Sequence, residues 1–295
     1  MNNKLLRAVS EPFFEKTGEL ESAVYVLFAA PLDKTASYRS GSRLAPQAIR
    51  LASRYMESYS VRSGLDWEDL NLIDIGDALG MATVEGAVAD IQAIVEEIYK
   101  LGKTPVMIGG EHTVTFGALR ALKPQAVVVF DAHLDLRNEL FEEKLCHGTY
   151  LRRAYEELRF KLVVVAARAL SHEEIDYAEL NGIIIVTALD VKRKGINYAV
   201  DSVKEALQGV DSVYLSVDMD AIDPSEAPAV GNPSPEGITT MQLLDIVNGF
   251  VDRRIVGVDV NEVSPAYDSG NTAVQSAYLL LEILYNIEVA RRSLS

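Results

Sequence analysis

The chain has 295 residues, of which 48% are hydrophobic, and its formal net charge is -15 at pH 7. This size and apolar content suffice for one large α/β domain, which we expect to span residues 1–295. The negative charge argues against binding to nucleic acid or anionic membranes and favours cationic small molecules. The single cysteine, Cys146, excludes an intramolecular disulfide framework. Because neither a signal peptide nor a membrane span is indicated, we expect a cytoplasmic protein.

Strands and helices alternate along the chain without a linker. The pattern predicts strands, in chain order, at Val24–Ala30, Leu72–Ile75, Val106–Ile108, Val127–Phe130, Leu162–Ala166, Ile183–Val186, Val213–Val217 and Ile255–Val260. It predicts helices at Pro46–Met56, Val84–Leu101, Thr149–Leu158 and Thr272–Arg292. This alternation is typical of an α/β fold with three αβα layers, in which helices cover both faces of a doubly wound, mostly parallel sheet of about eight strands.

The strand Val127–Phe130 is followed by ligand-type side chains at alternating positions, Asp131, His133 and Asp135. A strand exit ordinarily carries one acid as a cap or turn residue. Three such groups that turn toward one point would need a cation to offset their desolvation. The spacing therefore indicates a metal site, and a turn or helix-capping role for each aspartate is the alternative.

Three further predicted strands end in polar groups of the same kind. Asp218 and Asp220 repeat the alternating spacing, His112 follows a Gly109-Gly110 turn, and Glu262 follows the last strand. Ligands of open parallel sheets bind beyond the carboxyl ends of the strands, so we expect these groups to meet in one crevice.

The predicted ligand set contains four carboxylates and two imidazoles. It is an oxygen-rich set, unlike the thiolate sets of structural zinc. Six ligands are too many for one ion that keeps a position open for water, so two divalent ions fit best. We expect two Mn²⁺ ions, with Mg²⁺, Co²⁺ or Zn²⁺ as alternatives.

Long motifs resemble those of the ureohydrolase family, which contains arginase and agmatinase. GGEHT stands at Gly109–Thr113, DAHLD at Asp131–Asp135 and SVDMDAIDPSEAPAVGNPSPEGIT at Ser216–Thr239. The resemblance extends over most of the chain, through Ser37–Arg50, His147–Arg153 and Asp259–Asp268. It implies an arginase-like fold and a binuclear manganese hydrolase that splits a guanidinium group to urea and an amine. The metal ligands it implies are His112, Asp131, His133, Asp135, Asp218 and Asp220, the same set as above.

The resemblance also implies three catalytic roles. Asp135 would hold a bridging hydroxide by a hydrogen bond. Glu262 would bind the substrate guanidinium, which suits a planar carboxylate. His147 would relay a proton to the departing amine, a task for which imidazole has a suitable pKa. For His147 the alternative is a surface histidine at the start of a helix. For Glu262 the alternative is a strand-end acid that caps the following turn.

The loop Leu136–Leu145 departs from the arginase pattern and contains Glu139, Glu142 and Glu143. These acids would attract a second cation, so the loop favours agmatine, which would be cleaved to putrescine and urea. They are equally compatible with a solvated face. Arg137, Asn138 and Lys144 leave carboxylated substrates open, and Asn138 is a candidate substrate-binding residue beside His147 and Glu262.

Other functions remain open at this stage. Arginine, guanidinobutyrate or N1-aminopropylagmatine could replace agmatine, and a catalytically silent binder of polyamines or guanidines is a distant alternative. A two-metal phosphoesterase is disfavoured because no arginine-rich strand end accompanies the ligands. His172, at the start of a predicted helix, is excluded from the site. The apolar closing helix predicts either central core or a subunit contact, and relatives of this family suggest a homo-oligomer, a trimer or a hexamer.

Overall fold

Nine strands form one sheet in the computed structural model, which describes residues 5–15 and 18–293. The strands are β1 Leu6–Arg7, β2 Tyr25–Ala30, β3 Leu72–Ala78, β4 Thr104–Gly109, β5 Ala126–Phe130, β6 Lys161–Ala167, β7 Ile184–Thr187, β8 Val213–Asp218 and β9 Ile255–Asn261. Their order across the sheet is β1-β3-β2-β4-β9-β8-β5-β6-β7. All neighbours pair in parallel except β1, which is antiparallel to β3. The predicted α/β class and mostly parallel sheet are confirmed.

Helices cover both faces of this sheet. They are α1 Ala45–Ser53, α2 Val84–Lys100, α3 Thr115–Leu122, α4 Tyr150–Leu158, α5 His172–Asn181, α6 Ala188–Lys194, α7 Ile196–Ala206, α8 Thr240–Phe250 and α9 Asn271–Arg292. Buried side chains of α1 and α6 to α9 belong to one hydrophobic cluster, and those of α2 to α5 belong to a second. Strand β2 supplies Tyr25, Leu27 and Ala29 to the first cluster and the alternate residues to the second. Burial on both faces explains its continuous apolar sequence.

Two strands differ substantially from the sequence prediction, and the others agree with it to within two residues at each end. The ninth, β1, has only two residues, too few to show a strand period. Strand β3 continues to Ala78, beyond the predicted end at Ile75, through a polar stretch that contains Asp74 and Asp77. The apolar pattern used to predict strands is interrupted by these aspartates, whose side chains pair with the buried Arg50. The second half of the strand was therefore missed.

The closing helix α9 is central core. Leu279, Leu280, Ile283 and Leu284 are fully buried in the first cluster, and the Tyr285 hydroxyl donates to the carbonyl of Ser58 at 2.6 Å. The core interpretation of its apolar sequence is therefore confirmed. Among the described residues, no helix combines the length and apolar character needed to cross a membrane.

The sheet topology gathers the candidate ligands. Strands β4, β9, β8 and β5 are adjacent and parallel, so their carboxyl ends lie side by side at one edge. These are the four strands that the sequence predicts to end in site residues. The crevice expected at this edge of the sheet is therefore lined by the ends of four neighbouring strands.

A buried ion network ties α1 to β3 and yields a stability prediction. Arg50 donates to both oxygens of Asp74, at 2.7 and 2.9 Å, and also to Asp77. Replacing Arg50 by Met would leave the buried Asp74 without its cation and Asp77 with only the exposed Arg7, and we expect a loss of about 3–5 kcal/mol in the free energy of unfolding. Urea denaturation would measure it. Arg120→Met, which breaks an exposed pair with Glu157, serves as the control and is expected to change little; equal losses in both variants would contradict the assignment.

Candidate metal centre

Short turns after the strands orient the candidate ligands. The Asp131 carboxylate accepts from the backbone N–H of His133 at 2.6 Å, and Asp218 accepts from that of Asp220 at 2.7 Å. In each case the aspartate side chain accepts a hydrogen bond from the backbone N–H two residues later and so stabilises a turn, as aspartates commonly do. Asp135 has a φ of 53°, so the chain turns sharply at the third position.

Three carboxylates of the candidate ligand set surround the imidazole of His112. Its Nδ1 lies 3.1 Å from Asp131, 3.2 Å from Asp218 and 3.6 Å from Asp135, measured to one carboxylate oxygen of each. All four residues are buried. Within this group, His112, Asp131 and Asp135 offer atoms close enough to hold one ion.

A second group lies beside the first. His133 Nδ1 is 3.0 Å from Asp220 and 3.4 Å from Asp131, and these three residues could hold another ion. Asp131 belongs to both groups and contributes a different oxygen to each. A carboxylate that reaches two cation positions from its two oxygens is the arrangement of a bridging ligand.

The electrostatics of the cluster show an excess of negative charge. Burial and neighbouring carboxylates raise the pKa of Asp135 and Asp218 well above the ordinary value. Burial would raise that of Asp131 as well, but its close contacts with the imidazoles of His112 and His133 lower its pKa. The same contacts raise the pKa of His112 and His133 against the effect of burial. Divalent ions would compete with these protons, so metal binding should weaken as the pH falls.

The residues fit a pair of divalent ions. His112 Nδ1 is buried without a hydrogen-bond partner in the described part of the chain, although three carboxylates face it. Its other ring nitrogen, Nε2, lies 2.8 Å from the hydroxyl of Ser216. One nitrogen held by a hydrogen bond and the other left for a cation is the usual state of a metal-binding histidine. The donor set, rich in carboxylate oxygens, suits manganese or magnesium.

Ser216 connects His112 to a buried carboxylate that the sequence did not reveal. The Ser216 hydroxyl donates to Asp259, and Asp259 also accepts from the hydroxyls of Thr115 and Tyr214 and from the amide of Asn261. Asp259 is fully buried, and burial raises its pKa although its hydrogen bonds oppose the shift. The network fixes the orientation of the His112 ring.

Glu262 stands beside the ligands with one oxygen engaged. Its Oε1 accepts from the backbone N–H of His112 at 2.8 Å. A Cβ at Gly231 would lie 3.1 Å from Oε2, so the glycine keeps that oxygen accessible. Burial, opposed by the backbone bond of His112 and reinforced by the charge of Glu111, raises the pKa of Glu262 to about 8. A cation beside Oε2 would favour the ionised form.

His147 is held between two hydroxyls from the loop after β2. Its Nδ1 lies 3.1 Å from Thr35 Oγ1 and its Nε2 lies 3.2 Å from Ser37 Oγ. Glu111, which precedes the candidate ligand His112, accepts from the backbone N–H and the hydroxyl of Thr35. Burial lowers the pKa of His147, so the imidazole is neutral at pH 7.

A cavity of about 240 Å³ opens beside the ligands. Its lining includes His133, Asp135 and His147, together with Arg137 from the following loop. The candidate Asn138 lies on the exposed side of that loop, where its side-chain oxygen accepts from Arg153 at 3.0 Å. The three acids of the loop are also exposed and do not contribute to the lining: Glu139, Glu142 and Glu143.

Cys146 and His172 do not belong to the candidate ligand cluster. Cys146 is buried, and burial raises the pKa of its thiol, so it is a packed thiol and not a thiolate nucleophile. His172 is the exposed first residue of α5, whose N-terminus is closed by reciprocal hydrogen bonds of Ser171 and Glu174. His172 does not line the cavity.

The hydrogen-bond network behind His112 yields a prediction on metal affinity. Asp259→Asn keeps the side-chain shape but removes the charge that Ser216 transmits to the imidazole. Because residues behind a metal ligand typically contribute 10–100-fold to affinity, we expect Mn²⁺ to bind at least about tenfold more weakly. Isothermal titration would measure this, with Asp245→Asn on the exposed face of α8 as the control. Unchanged affinity in Asp259→Asn would contradict the role of this network.

Comparison with known proteins agrees with the geometry. Residues 23–285 match the model of the arginase family. The guanidinobutyrase of Pseudomonas aeruginosa is 35% identical, with 92% of this chain and 89% of that protein covered. The N(1)-aminopropylagmatine ureohydrolase of Thermococcus kodakarensis is also 35% identical, with 89% and 90% covered. The crystal structure of agmatine ureohydrolase of Thermoplasma volcanium superimposes with a TM-score of 0.89 at 34% identity, with 97% of each chain covered. The chain therefore belongs to the arginase family of hydrolases.

Proposed function

We propose that this protein is a binuclear manganese hydrolase that cleaves the guanidinium group of a small linear substrate to urea and an amine. The observation that carries the proposal is the position of Asp131, whose two oxygens face two separate ligand groups. The buried Asp131 carboxylate is contacted by the two imidazoles and by the His133 N–H, and divalent cations held between these groups would offset the remaining desolvation of the cluster. The full ligand set would be His112, Asp131, His133, Asp135, Asp218 and Asp220.

The bound ions would supply a hydroxide nucleophile at neutral pH by lowering the pKa of water. Asp135, at the edge of both the ligand cluster and the cavity, would accept its hydrogen bond and fix the direction of attack. Glu262 would pair through Oε2 with the planar guanidinium and hold its carbon in the attack position. No covalent bond between enzyme and substrate is required.

His147 would protonate the departing nitrogen. An amine leaves poorly unless it is protonated, and a histidine with one nitrogen toward a half-buried hydroxyl and the other toward the cavity can relay a proton. Thr35 and Ser37 hold the ring in this position at 3.1 and 3.2 Å. Because its pKa is lowered, the ring is neutral at pH 7 and must receive a proton before it can donate one.

The substrate tail is the finer part of the proposal. Agmatine, cleaved to putrescine and urea, is the first candidate because the net charge of -15 favours approach of cations. The exposed positions of the loop glutamates remove the local argument for it. Arg137 at the cavity favours a second candidate, a guanidino acid such as guanidinobutyrate, whose carboxylate it could bind. Arginine and N1-aminopropylagmatine remain alternative substrates.

Three further properties stay predictions: assembly into a homo-oligomer, a cytoplasmic location, and a single domain over residues 1–295.

The role of Glu262 can be tested by Glu262→Gln. The amide keeps the hydrogen bond from His112 but loses the charge that pairs with guanidinium, so we expect kcat/KM to fall about a hundredfold or more while Mn²⁺ affinity is retained. Urea release and manganese titration would be measured on the same preparation. Glu282→Gln, at a buried acid bonded to Ser60 far from the cavity, is the control. Full activity in Glu262→Gln would refute the guanidinium assignment.

The substrate tail can be tested by urea release from agmatine, arginine, guanidinobutyrate and N1-aminopropylagmatine. Arg137→Met is expected to lower kcat/KM for guanidinobutyrate about tenfold, since a hydrogen bond to a charged group is lost, and to leave agmatine cleavage unchanged or faster. Lys144→Met, in the exposed part of the same loop, is the matched control. Equal effects of Arg137→Met on both substrates would exclude Arg137 from tail binding. No urea from any of the four would favour a silent binder.

A further inference from the structure

Tyr150, the first residue of α4, is buried against the metal centre with its hydroxyl unpaired. It has no exposed surface, and its ring centroid lies 4.7 Å from that of the His112 imidazole, at an interplanar angle of 37°. In the part of the chain that the structure describes, its hydroxyl has no hydrogen-bond partner. An unpaired buried hydroxyl is unfavourable, so phenylalanine would fill the same space at lower cost.

The other fully buried tyrosines show the contrast. Tyr214 donates to Asp259, Tyr285 donates to the carbonyl of Ser58, and Tyr25 donates to Glu288. Each of these phenols is paired inside the protein. Tyr150 differs from them in that its surroundings are the ligand cluster: beyond burial, the charges that raise its pKa are those of Asp135, Asp131, Asp259 and Asp218, with Asp135 first.

Main-chain hydrogen bonds fix α4 to the segment that carries Asp135. The Arg152 N–H donates to the carbonyl of Asp135 at 3.2 Å, and the Arg137 N–H donates to the carbonyl of Gly148 at 3.2 Å. Tyr150 lies between these two connections. These bonds hold the ring beside the backbone of Asp135, whereas, among the described residues, the Asp135 carboxylate makes no hydrogen bond and lies 3.6 Å from His112 Nδ1.

We propose that Tyr150 is a positioning residue of the metal centre, whose hydroxyl donates a hydrogen bond to the Asp135 carboxylate when Asp135 binds metal. The bond would leave one oxygen of Asp135 for the metal and hold the other. Its effect is to preorganise a ligand that enters the site with a strained backbone, at a φ of 53°. This inference rests on the proposed metal site but adds a residue from outside the ligand set.

Tyr150→Phe tests the proposal through two readouts besides activity. We expect the midpoint of thermal unfolding of the metal-free protein to be unchanged or higher, because an unpaired hydroxyl is removed. We expect Mn²⁺ affinity to fall about tenfold, which is at the lower end of the effects of residues that orient metal ligands. The electron paramagnetic resonance signal of free Mn²⁺ during a titration would measure the affinity.

Tyr285→Phe is the matched control, because it removes the hydroxyl of a buried tyrosine that is paired and remote from the ligands. It should lower the unfolding midpoint of the metal-free protein and leave Mn²⁺ affinity unchanged. Unchanged Mn²⁺ affinity in Tyr150→Phe would overturn the proposal, and so would a loss of affinity accompanied by the same drop in midpoint as the control, which would indicate a packing role. If the unsubstituted protein does not bind Mn²⁺, the proposed metal centre itself fails, which is a distinguishable result.

Discussion

The concentration of buried carboxylates and imidazoles at the ends of adjacent parallel strands is the constraint on which the rest of this structure depends. Asp131, Asp135, Asp218 and Asp220 are buried together, and hydrogen bonds among them and the two histidines leave His112 Nδ1 unsatisfied. Such a cluster is unfavourable in a fold that has no cation to offset it. The parallel order β4-β9-β8-β5 and the Asp259 network are therefore best understood as a scaffold that holds these groups at cation-binding distances.

The sequence predicted those features of the fold and site that depend on residues close together in the chain. Apolar runs buried on both faces marked eight strands, and the alternating spacing of Asp131, His133 and Asp135 marked the exit of β5. The predicted strand β3 was too short because Asp74 and Asp77 pair with Arg50, which lies 24 and 27 positions earlier in the sequence. The meeting of the four polar strand ends in one crevice was expected from the general behaviour of parallel sheets, but the strand order β4-β9-β8-β5 that brings them together was not predicted.

The supporting residues could not be found in this way, because their partners are distant in sequence. Ser216 reaches His112 over 104 positions, and Thr35 reaches His147 over 112. No spacing rule connects such pairs. The loop after β5 was interpreted from its charges alone, but its backbone turns Glu139, Glu142 and Asn138 to the exposed side and leaves Arg137 at the cavity. The chemistry of the reaction centre is thus better defined by the sequence than the chemistry of the substrate tail.

The proposed binuclear centre requires Asp131 to give one oxygen to each of two metal ions. Diffraction from crystals grown with Mn²⁺, collected at a wavelength where manganese scatters anomalously, would test this requirement. We expect two anomalous peaks per chain, one between His112 and Asp135 and the other between His133 and Asp220, each within bonding distance of a different oxygen of Asp131. A single peak, or two peaks of which Asp131 contacts only one, would contradict the binuclear centre and the mechanism built on it.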